Sequence, residues 1–150
     1  MPAAFAFSVN VWQPAGAAAP QKAPVLVFIY GGSNQFGEAE PYNMSGLAAF
    51  HGVVAVNMNY RTGPIGWMAF PEDAAANSST GNFGILDIQS ALRWVQKEIG
   101  HFGGDPERVA IHGQSSGGGL TELQCELPRH PPVQCVHGVA RVTKACAGVP

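Results

Sequence analysis

An α/β fold, with a mostly parallel central sheet flanked by helices, is predicted by three features of the sequence. Short β-branched and aromatic runs alternate with stretches of helical periodicity, an order typical of α/β proteins. Hydrophobic residues make up 46% of the 150 residues and charged residues only 12%, which favours a large buried core over a disordered chain. The 19 glycines and 12 prolines supply the tight turns that the alternation requires. A chain of this length is one domain or part of one.

Four strands are predicted, and their character differs along the chain. Residues 7–12 alternate apolar and polar side chains, as in a half-exposed strand. The runs at 25–30 and 53–59 are almost continuously apolar, which is typical of strands buried on both faces. Residues 108–112 return to a strand pattern. We therefore expect a sheet whose central strands are covered on both sides.

Helices are predicted between these strands. Residues 44–51 are expected to form a short helix capped by Ser45 and ended by Gly52. A longer helix is indicated by apolar residues at spacings of three and four: Ile85, Ile88, Leu92, Val95, Ile99 and Phe102. Asp105 and Pro106 then have the pattern of an N-cap and a first helical residue.

Composition and charge exclude several classes of function. Eight Lys and Arg residues stand against ten Asp and Glu, giving a formal net charge of −2. No basic surface therefore favours a nucleic acid or an anionic membrane as a partner. No apolar run approaches the roughly 18–20 residues of a membrane-spanning helix, and residues 1–12 lack the features of a signal peptide. We expect a soluble chain whose localisation the sequence leaves open.

The sequence GQSSG at 113–117, a G-x-S-x-G pattern, follows the strand at 108–112 directly. In this strand–turn–helix context the pattern predicts a nucleophile elbow, in which flanking glycines let the strand and helix pass and the serine backbone is strained. Ser115 is then the candidate nucleophile, projecting above the sheet edge. The alternative is an ordinary glycine-rich turn that opens a helix, or an anion-binding helix N-terminus.

A second loop that carries candidate functional residues follows the run at 25–30, which ends in Gly31, Gly32 and Ser33. Backbone N–H groups in such a loop can stabilise the negative charge that develops on a carbonyl oxygen during acyl transfer. The N–H of Ser116 is the remaining candidate donor. A simple turn is an equally good interpretation of the two glycines alone. A Walker-type phosphate loop is excluded, since no lysine follows either glycine cluster at the required spacing.

Several linked motifs resemble the type B carboxylesterase and cholinesterase family. They are NYRTGPIG at 59–66, GNFGILD at 81–87, ALRWV at 91–95, FGGDPERV at 102–109 and GQSSGG at 113–118. They occur in the order that the family has, and the resemblance extends from Ser8 to Gly118. Several motifs in one order are far more specific than any one of them.

This resemblance implies a partial α/β-hydrolase fold and hydrolysis of small-molecule carboxylic esters through an acyl-enzyme. Ser115 matches the family's nucleophile, and Gly32, Ser33 and Ser116 match its oxyanion-hole N–H donors. Three positions depart from the family pattern: Gln114 replaces the usual Glu, Ser116 the usual Ala, and Ser33 the third glycine of the oxyanion loop. The nucleophile is kept, whereas the side chain of Ser33 is expected to alter the oxyanion geometry.

The partners that a serine nucleophile needs are not evident. An imidazole base and a carboxylate that orients it follow the serine in this fold. The His, Asp and Glu residues after Ser115 are Glu122, Glu126, His130 and His137. The two glutamates are expected on the helix that leaves the elbow, pointing away from the hydroxyl. We therefore expect the triad acid and base to be absent from this chain.

The sequence changes character near residue 120. We predict a partial family domain at 1–119 and an irregular, non-family tail at 120–150, and we interpret the product as truncated. The tail holds all three cysteines, Cys125, Cys135 and Cys146. A zinc set of Cys125, His130, Cys135 and His137 would lack the short C-x2-C spacing of structural sites. No metal and no other cofactor is therefore predicted.

Two functions stay open at this point. The first is a serine hydrolase that acts on carboxylic esters, with Trp67 and Phe70 either lining an acyl pocket or simply packed. The second is a catalytically inactive fragment or a cholinesterase-like binding module. An intact Ser115 argues against a pure scaffold, and the missing base argues for inactivity. Truncation also predicts unpaired sheet edges and an exposed apolar face, and hence self-association.

Overall fold

The computed structural model describes residues 8–15, 22–69, 81–127 and 134–135. Within these ranges one sheet contains five strands: β1 (Val9–Trp12), β2 (Ala23–Ile29), β3 (Val54–Met58), β4 (Gly104–Gly113) and β5 (Gln134–Cys135). The helices of the same ranges are α1 (Ser45–His51), α2 (Gly63–Trp67), α3 (Phe83–Glu98) and α4 (Ser116–Glu126). A 3-10 turn, Ile99–Phe102, follows α3 directly.

The strands lie in the order β1-β3-β2-β4-β5 across the sheet. β1 pairs antiparallel with β3, and all the other neighbours pair in parallel. Val25 of β2 is opposite both Val54 of β3 and Val109 of β4. The carboxyl ends of β2, β3 and β4 therefore meet at one edge, the position where open α/β sheets bind ligands. The predicted α/β class with a mostly parallel sheet is confirmed.

One face of the sheet carries the main hydrophobic core. Val27, Val56 and Ile111 are aligned across three strands, and each is 0% exposed. α3 and the turn after it contribute further fully buried side chains to this core: Ile88, Ala91, Leu92, Val95 and Ile99. Ile85 and Phe102 pack against the same core while partly exposed. The periodicity that predicts the long helix therefore also identifies its buried face.

The opposite face is covered unevenly, which corrects the prediction that β2 is buried on both faces. Leu26 and Phe28 are only half-buried, whereas Ala55 and Asn57 of β3 are fully buried. The difference arises because α1 and the segment before it lie over β3. A continuous apolar run indicates a strand but does not identify which of its residues are covered.

Two predicted helix starts are also corrected. α1 begins at Ser45, but this serine does not cap it, and its N–H donates to Asn43 Oδ1 at 2.9 Å. Asp105 lies in the first part of β4 rather than at a helix start. Its carboxylate accepts hydrogen bonds from the Glu107 N–H at 3.1 Å and from Arg108 Nε at 2.8 Å. An Asp side chain accepts backbone hydrogen bonds in a local turn as readily as at the start of a helix. The Asp-Pro pattern alone therefore does not distinguish a turn from a helix start.

Candidate active site

Ser115 lies at the sharp turn between β4 and α4. Its backbone has φ 57° and ψ −129°, a combination that L-residues rarely adopt and that costs on the order of 1–3 kcal/mol. Two backbone hydrogen bonds hold the turn, from the Gly117 N–H to the Gln114 carbonyl at 3.0 Å and from the Gly118 N–H to the Ser115 carbonyl at 2.9 Å. Ser115 is exposed. Its geometry is that expected of the predicted elbow, while its catalytic role stays a prediction.

Close backbone packing at this turn requires glycine at positions 113 and 117. A Cβ on Gly117 would lie 2.2 Å from the Ile29 carbonyl oxygen and 2.5 Å from that of Tyr30. A Cβ on Gly113 would lie 2.1 Å from the Gly117 carbonyl oxygen. The beginning of α4 therefore approaches the end of β2 as closely as two backbones permit.

The loop after β2 lies against the elbow. A Cβ on the buried Gly31 would lie 2.8 Å from the Ser115 Cβ. Gly32, Ser33 and Asn34 follow with φ values of 132°, 55° and 62°, so the backbone curls through three successive residues with positive φ. We call residues 31–36 the Gly31–Phe36 loop. Its curl brings Gly32 and Ser33 to the same part of the molecule as Ser115.

Two cavities adjoin this loop. One, of about 430 Å³, is lined by Ser115 and Gln114 together with Gly32, Ser33, Glu38 and Tyr42, among others. The other, of about 500 Å³, is lined by Ser33, Asn34, Gln35, Gly63, Pro64 and Trp67. Ser33 lines both cavities. Trp67 thus lines a cavity next to the loop, and Phe70 lies outside the described residues.

Asn34 connects the Gly31–Phe36 loop to two helices. Its backbone N–H donates to Ser116 Oγ at 3.2 Å. Its carbonyl oxygen accepts hydrogen bonds from the Gly63 N–H at 2.7 Å and from Trp67 Nε1 at 2.6 Å. One residue therefore anchors the loop to the beginning of α4 and to α2.

Asn57, buried in β3, holds the chain that continues from the loop. Its Nδ2 donates to the carbonyl oxygens of Ala39 and Tyr42, each at 3.0 Å. Its Oδ1 accepts a hydrogen bond from Asn10 Nδ2 at 2.8 Å. A buried amide with all these partners fixes the geometry around it, because each unpaired atom would cost about 1–3 kcal/mol. Asn57 lies in a run that is otherwise almost continuously apolar, and a polar residue inside a buried strand indicates that its side chain has hydrogen-bond partners.

Arg61 and Asp87 join the chain after β3 to α3. The carboxylate of Asp87 accepts from Arg61 Nε at 2.8 Å, from Nη2 at 2.7 Å and from the Arg61 backbone N–H at 3.0 Å. The hydrogen bonds to Asp87 raise the pKa of the Arg61 guanidinium above its ordinary value. Both residues belong to motifs that carry the family resemblance, and their contacts are structural.

Within the described residues, no side chain hydrogen-bonds to the hydroxyl of Ser115. Glu122 and Glu126 lie on α4 and are exposed, as expected. His130 and His137 lie outside the described residues. Cys125, considered above as a zinc ligand, is disulfide-bonded. The described part of the chain thus places the candidate nucleophile and the candidate oxyanion donors together, without a base beside them.

The order of the strands, the single antiparallel pair at β1 and the strained serine after β4 are together those of an α/β-hydrolase fold. A protein-family model described as "Carboxylesterase family" matches residues 6–138. The chain therefore belongs to the carboxylesterase family, and the resemblance stated from its motifs is confirmed. The match continues beyond residue 119, while the division at that position stays a prediction.

Curated relatives agree with this assignment. The chain is 47% identical to "Cocaine esterase" of Oryctolagus cuniculus over 110 residues, covering 73% of this chain and 20% of that protein. It is 40% identical to "Cholinesterase" of Mus musculus over 127 residues, covering 83% and 20%. It is 41% identical to "Neuroligin-2" of Homo sapiens over 104 residues, covering 69% and 12%. The chain thus spans a fifth or less of the length of these relatives.

Proposed function

We propose that this chain carries the nucleophile and the oxyanion donors of a carboxylic ester hydrolase. Ser115 Oγ attacks the carbonyl carbon, and the N–H groups of Gly32, Ser33 and Ser116 stabilise the negative oxygen of the tetrahedral intermediate. The alcohol then leaves, and water hydrolyses the resulting acyl-enzyme. The observation that carries the proposal is the strained, exposed backbone of Ser115 at a cavity that it shares with Gly32 and Ser33.

The strain at Ser115 favours this proposal over an ordinary turn. Glycine would adopt a positive φ with little cost, so a plain turn has no need of a serine there. Ser115 occupies the N-cap position of α4 but makes no side-chain cap hydrogen bond. Its hydroxyl therefore does not cap the beginning of α4, which weighs against the alternative that Ser115 is only part of a turn that opens the helix.

The proton of the Ser115 hydroxyl needs an acceptor during attack, and the described residues place none beside it. The proposal therefore assigns to the described residues the nucleophile and the oxyanion donors alone. His130 and His137 are the histidines that follow Ser115 in the sequence. An external imidazole can replace a base that is not at hand, which makes the nucleophile testable by itself.

A binding module without catalytic activity is the second candidate. It is favoured by the lack of a base at Ser115 among the described residues and by the similarity to Neuroligin-2. The two candidates differ in what they require of Ser115: the hydrolase needs its hydroxyl, and the binding module does not.

Acylation by p-nitrophenyl acetate distinguishes the two candidates. The purified chain, with and without added imidazole, is incubated with the ester and its intact mass is measured. We expect an acetyl adduct that Ser115→Ala abolishes. Ser90→Ala is the matched control, since Ser90 lies exposed on α3 with its hydroxyl bonded to the Leu86 carbonyl at 2.9 Å. A folded chain that is never acetylated at Ser115 favours the binding module.

The partners proposed for this chain are a small carboxylic ester and a second copy of the chain. Among the strands in the described ranges, β1 is the outermost at one side of the sheet, and Phe50 is 84% exposed. Both features favour self-association. Sedimentation velocity should show an average mass that rises with concentration, and a monomer at all concentrations would contradict this. Among the described residues, no helix has both the length and the apolar character needed to cross a bilayer.

A further inference from the structure

We infer that the side chain of Ser116 is a positioning group that holds the Gly31–Phe36 loop in place. The backbone N–H of Asn34 donates to Ser116 Oγ at 3.2 Å, across 82 residues of sequence. This hydrogen bond connects the loop directly to the first residue of α4. That Ser116 positions the loop follows from this hydrogen bond. That this positioning aids catalysis rests on the proposed function.

The loop needs such a connection because its backbone is in an unfavourable conformation. Ser33 and Asn34 both have left-handed φ values, 55° and 62°, which residues other than glycine adopt only at a cost in free energy. Gly32 before them also has a positive φ, of 132°. A loop with this conformation relaxes toward others unless hydrogen bonds hold it.

The hydrogen bonds of Asn34 hold the peptide groups on both of its sides. The N–H that bonds to Ser116 belongs to the peptide between Ser33 and Asn34. The carbonyl that bonds to Gly63 and Trp67 belongs to the next peptide. Ser33 is therefore followed by two peptides that hydrogen bonds hold in place.

The bond to Ser116 also joins the two halves of the proposed donor set. Gly32 and Ser33 contribute N–H groups from the loop, and Ser116 contributes its N–H from the beginning of α4. Preorganised donors stabilise a developing charge because they do not reorient during the reaction. The Ser116 hydroxyl provides this preorganisation between two elements that are distant in sequence.

Ser33 and Ser116 are both departures from the family pattern, and here they complement each other. Alanine at 116 has no oxygen to accept the Asn34 N–H. A glycine at 33 would adopt the observed φ without strain. Ser33 therefore adds strain to the loop, and Ser116 adds a hydrogen bond that offsets it.

Residue-resolved hydrogen exchange of the 150-residue chain by mass spectrometry tests the inference. The variants are Ser116→Ala and Ser116→Thr, with Ser90→Ala as a serine-to-alanine control remote from the loop. Ser116→Ala is expected to fold, because alanine is the usual family residue at this position. We expect it to raise the exchange rate of the Asn34 N–H about fivefold, the effect of one net hydrogen bond. The protection of β2 and β4 should be unchanged.

Ser116→Thr keeps the acceptor and should restore slow exchange at Asn34, which a general loosening of the protein would not do. Unchanged exchange at Asn34 in Ser116→Ala would overturn the inference. So would an equal increase throughout the sheet, since the side chain would then act on global stability. Should Ser116→Thr misfold, Ser116→Ala and Ser90→Ala still decide the question.

The same variants separate this inference from the proposed function. Acetylation of Ser115 is measured in parallel with exchange. If Asn34 responds to Ser116→Ala and Ser115 is never acetylated, the proposed function fails and the positioning stands. If Ser115 is acetylated, Ser116→Ala should lower the limiting rate of acetylation severalfold and leave the half-saturating ester concentration unchanged. An unchanged limiting rate with faster exchange would show that the positioning has no value for catalysis.

Discussion

Tyr30 and Tyr60 each bond to the backbone of the other, at the ends of neighbouring strands. The Tyr60 hydroxyl donates to the Tyr30 carbonyl oxygen at 2.7 Å, and the Tyr30 hydroxyl donates to the Tyr60 carbonyl oxygen at 3.1 Å. Their rings stack with centroids 4.4 Å apart. Because Gly31 follows Tyr30 directly, this pair fixes the point from which the Gly31–Phe36 loop leaves the sheet.

Removing one hydroxyl of this pair should destabilise the fold. Tyr60→Phe leaves the buried Tyr30 carbonyl without this donor, so we expect the free energy of unfolding to fall by about 1–3 kcal/mol. Urea denaturation measures the change. Tyr42→Phe is the control, since the Tyr42 ring stacks on the Tyr30 ring but Tyr42 is 36% exposed. Equal stability of Tyr60→Phe and the wild type would show that the reciprocal bonds contribute nothing.

The same pair predicts a loss of stability at alkaline pH. Burial raises the pKa of both Tyr30 and Tyr60 above the ordinary value, so the folded chain keeps these protons longer than the unfolded chain. Stability is then complete below pH ~10, where unfolded tyrosine begins to ionise, and decreases as the pH rises further toward the folded pKa values. Urea midpoints measured from pH ~8 to ~11 should fall steeply at the upper end. Tyr60→Phe should reduce that slope, and an identical slope in this variant would contradict the assignment.

Gly117 and Gly119, two positions apart in the sequence, should respond oppositely to substitution by alanine. Gly117→Ala places a Cβ 2.2 Å from the Ile29 carbonyl oxygen, so the variant should lose more than about 3 kcal/mol or fail to fold. Gly119→Ala meets nothing within 4 Å and lies inside α4, so it should gain up to about 1 kcal/mol. Thermal unfolding of the two variants tests the close approach of α4 to β2. Comparable stability of both variants would contradict the close packing of the Gly117 backbone against the end of β2.

A buried glutamine on α4 is a site where the fold can be stabilised. Gln124 is 0% exposed, and both polar atoms of its side chain lack a hydrogen-bond partner in the described structure. Gln124→Leu keeps the volume and removes the unpaired atoms, so we expect a gain of about 1–3 kcal/mol in urea unfolding. Gln96→Leu is the matched control and should be destabilising, because Gln96 Nε2 donates to the Pro106 carbonyl at 3.0 Å. A loss of stability in Gln124→Leu would reveal a partner for this side chain.

Local sequence patterns were sufficient to predict most elements and the edge of the sheet that carries the candidate site. The spacing of Ile88, Leu92 and Val95 determines which face of α3 is buried, because helical periodicity and burial have the same cause. The glycines at 113 and 117 likewise mark a turn that only small residues permit. These are local rules, and each acts within a few residues of the chain.

Contacts between distant residues were not predictable in the same way. The hydrogen bond from Asn34 to Ser116 depends on how the Gly31–Phe36 loop and the beginning of α4 meet in space, and no local sequence pattern at either residue predicts it. Asn57 is similar, since its three partners lie 15 to 47 residues away in the sequence. The half-exposed side of β2 depends on where α1 packs. In each case the deciding quantity is a tertiary distance rather than a local preference.

The central claim is that Ser115 is a positioned nucleophile, and covalent labelling by a fluorophosphonate tests it most directly. The purified chain is treated with the probe, with and without added imidazole, and intact mass and peptide mapping locate the adduct. We predict one adduct, on Ser115, which imidazole accelerates and which is lost in Ser115→Ala but kept in Ser90→Ala. A folded chain that stays unlabelled at Ser115 under both conditions would contradict the claim.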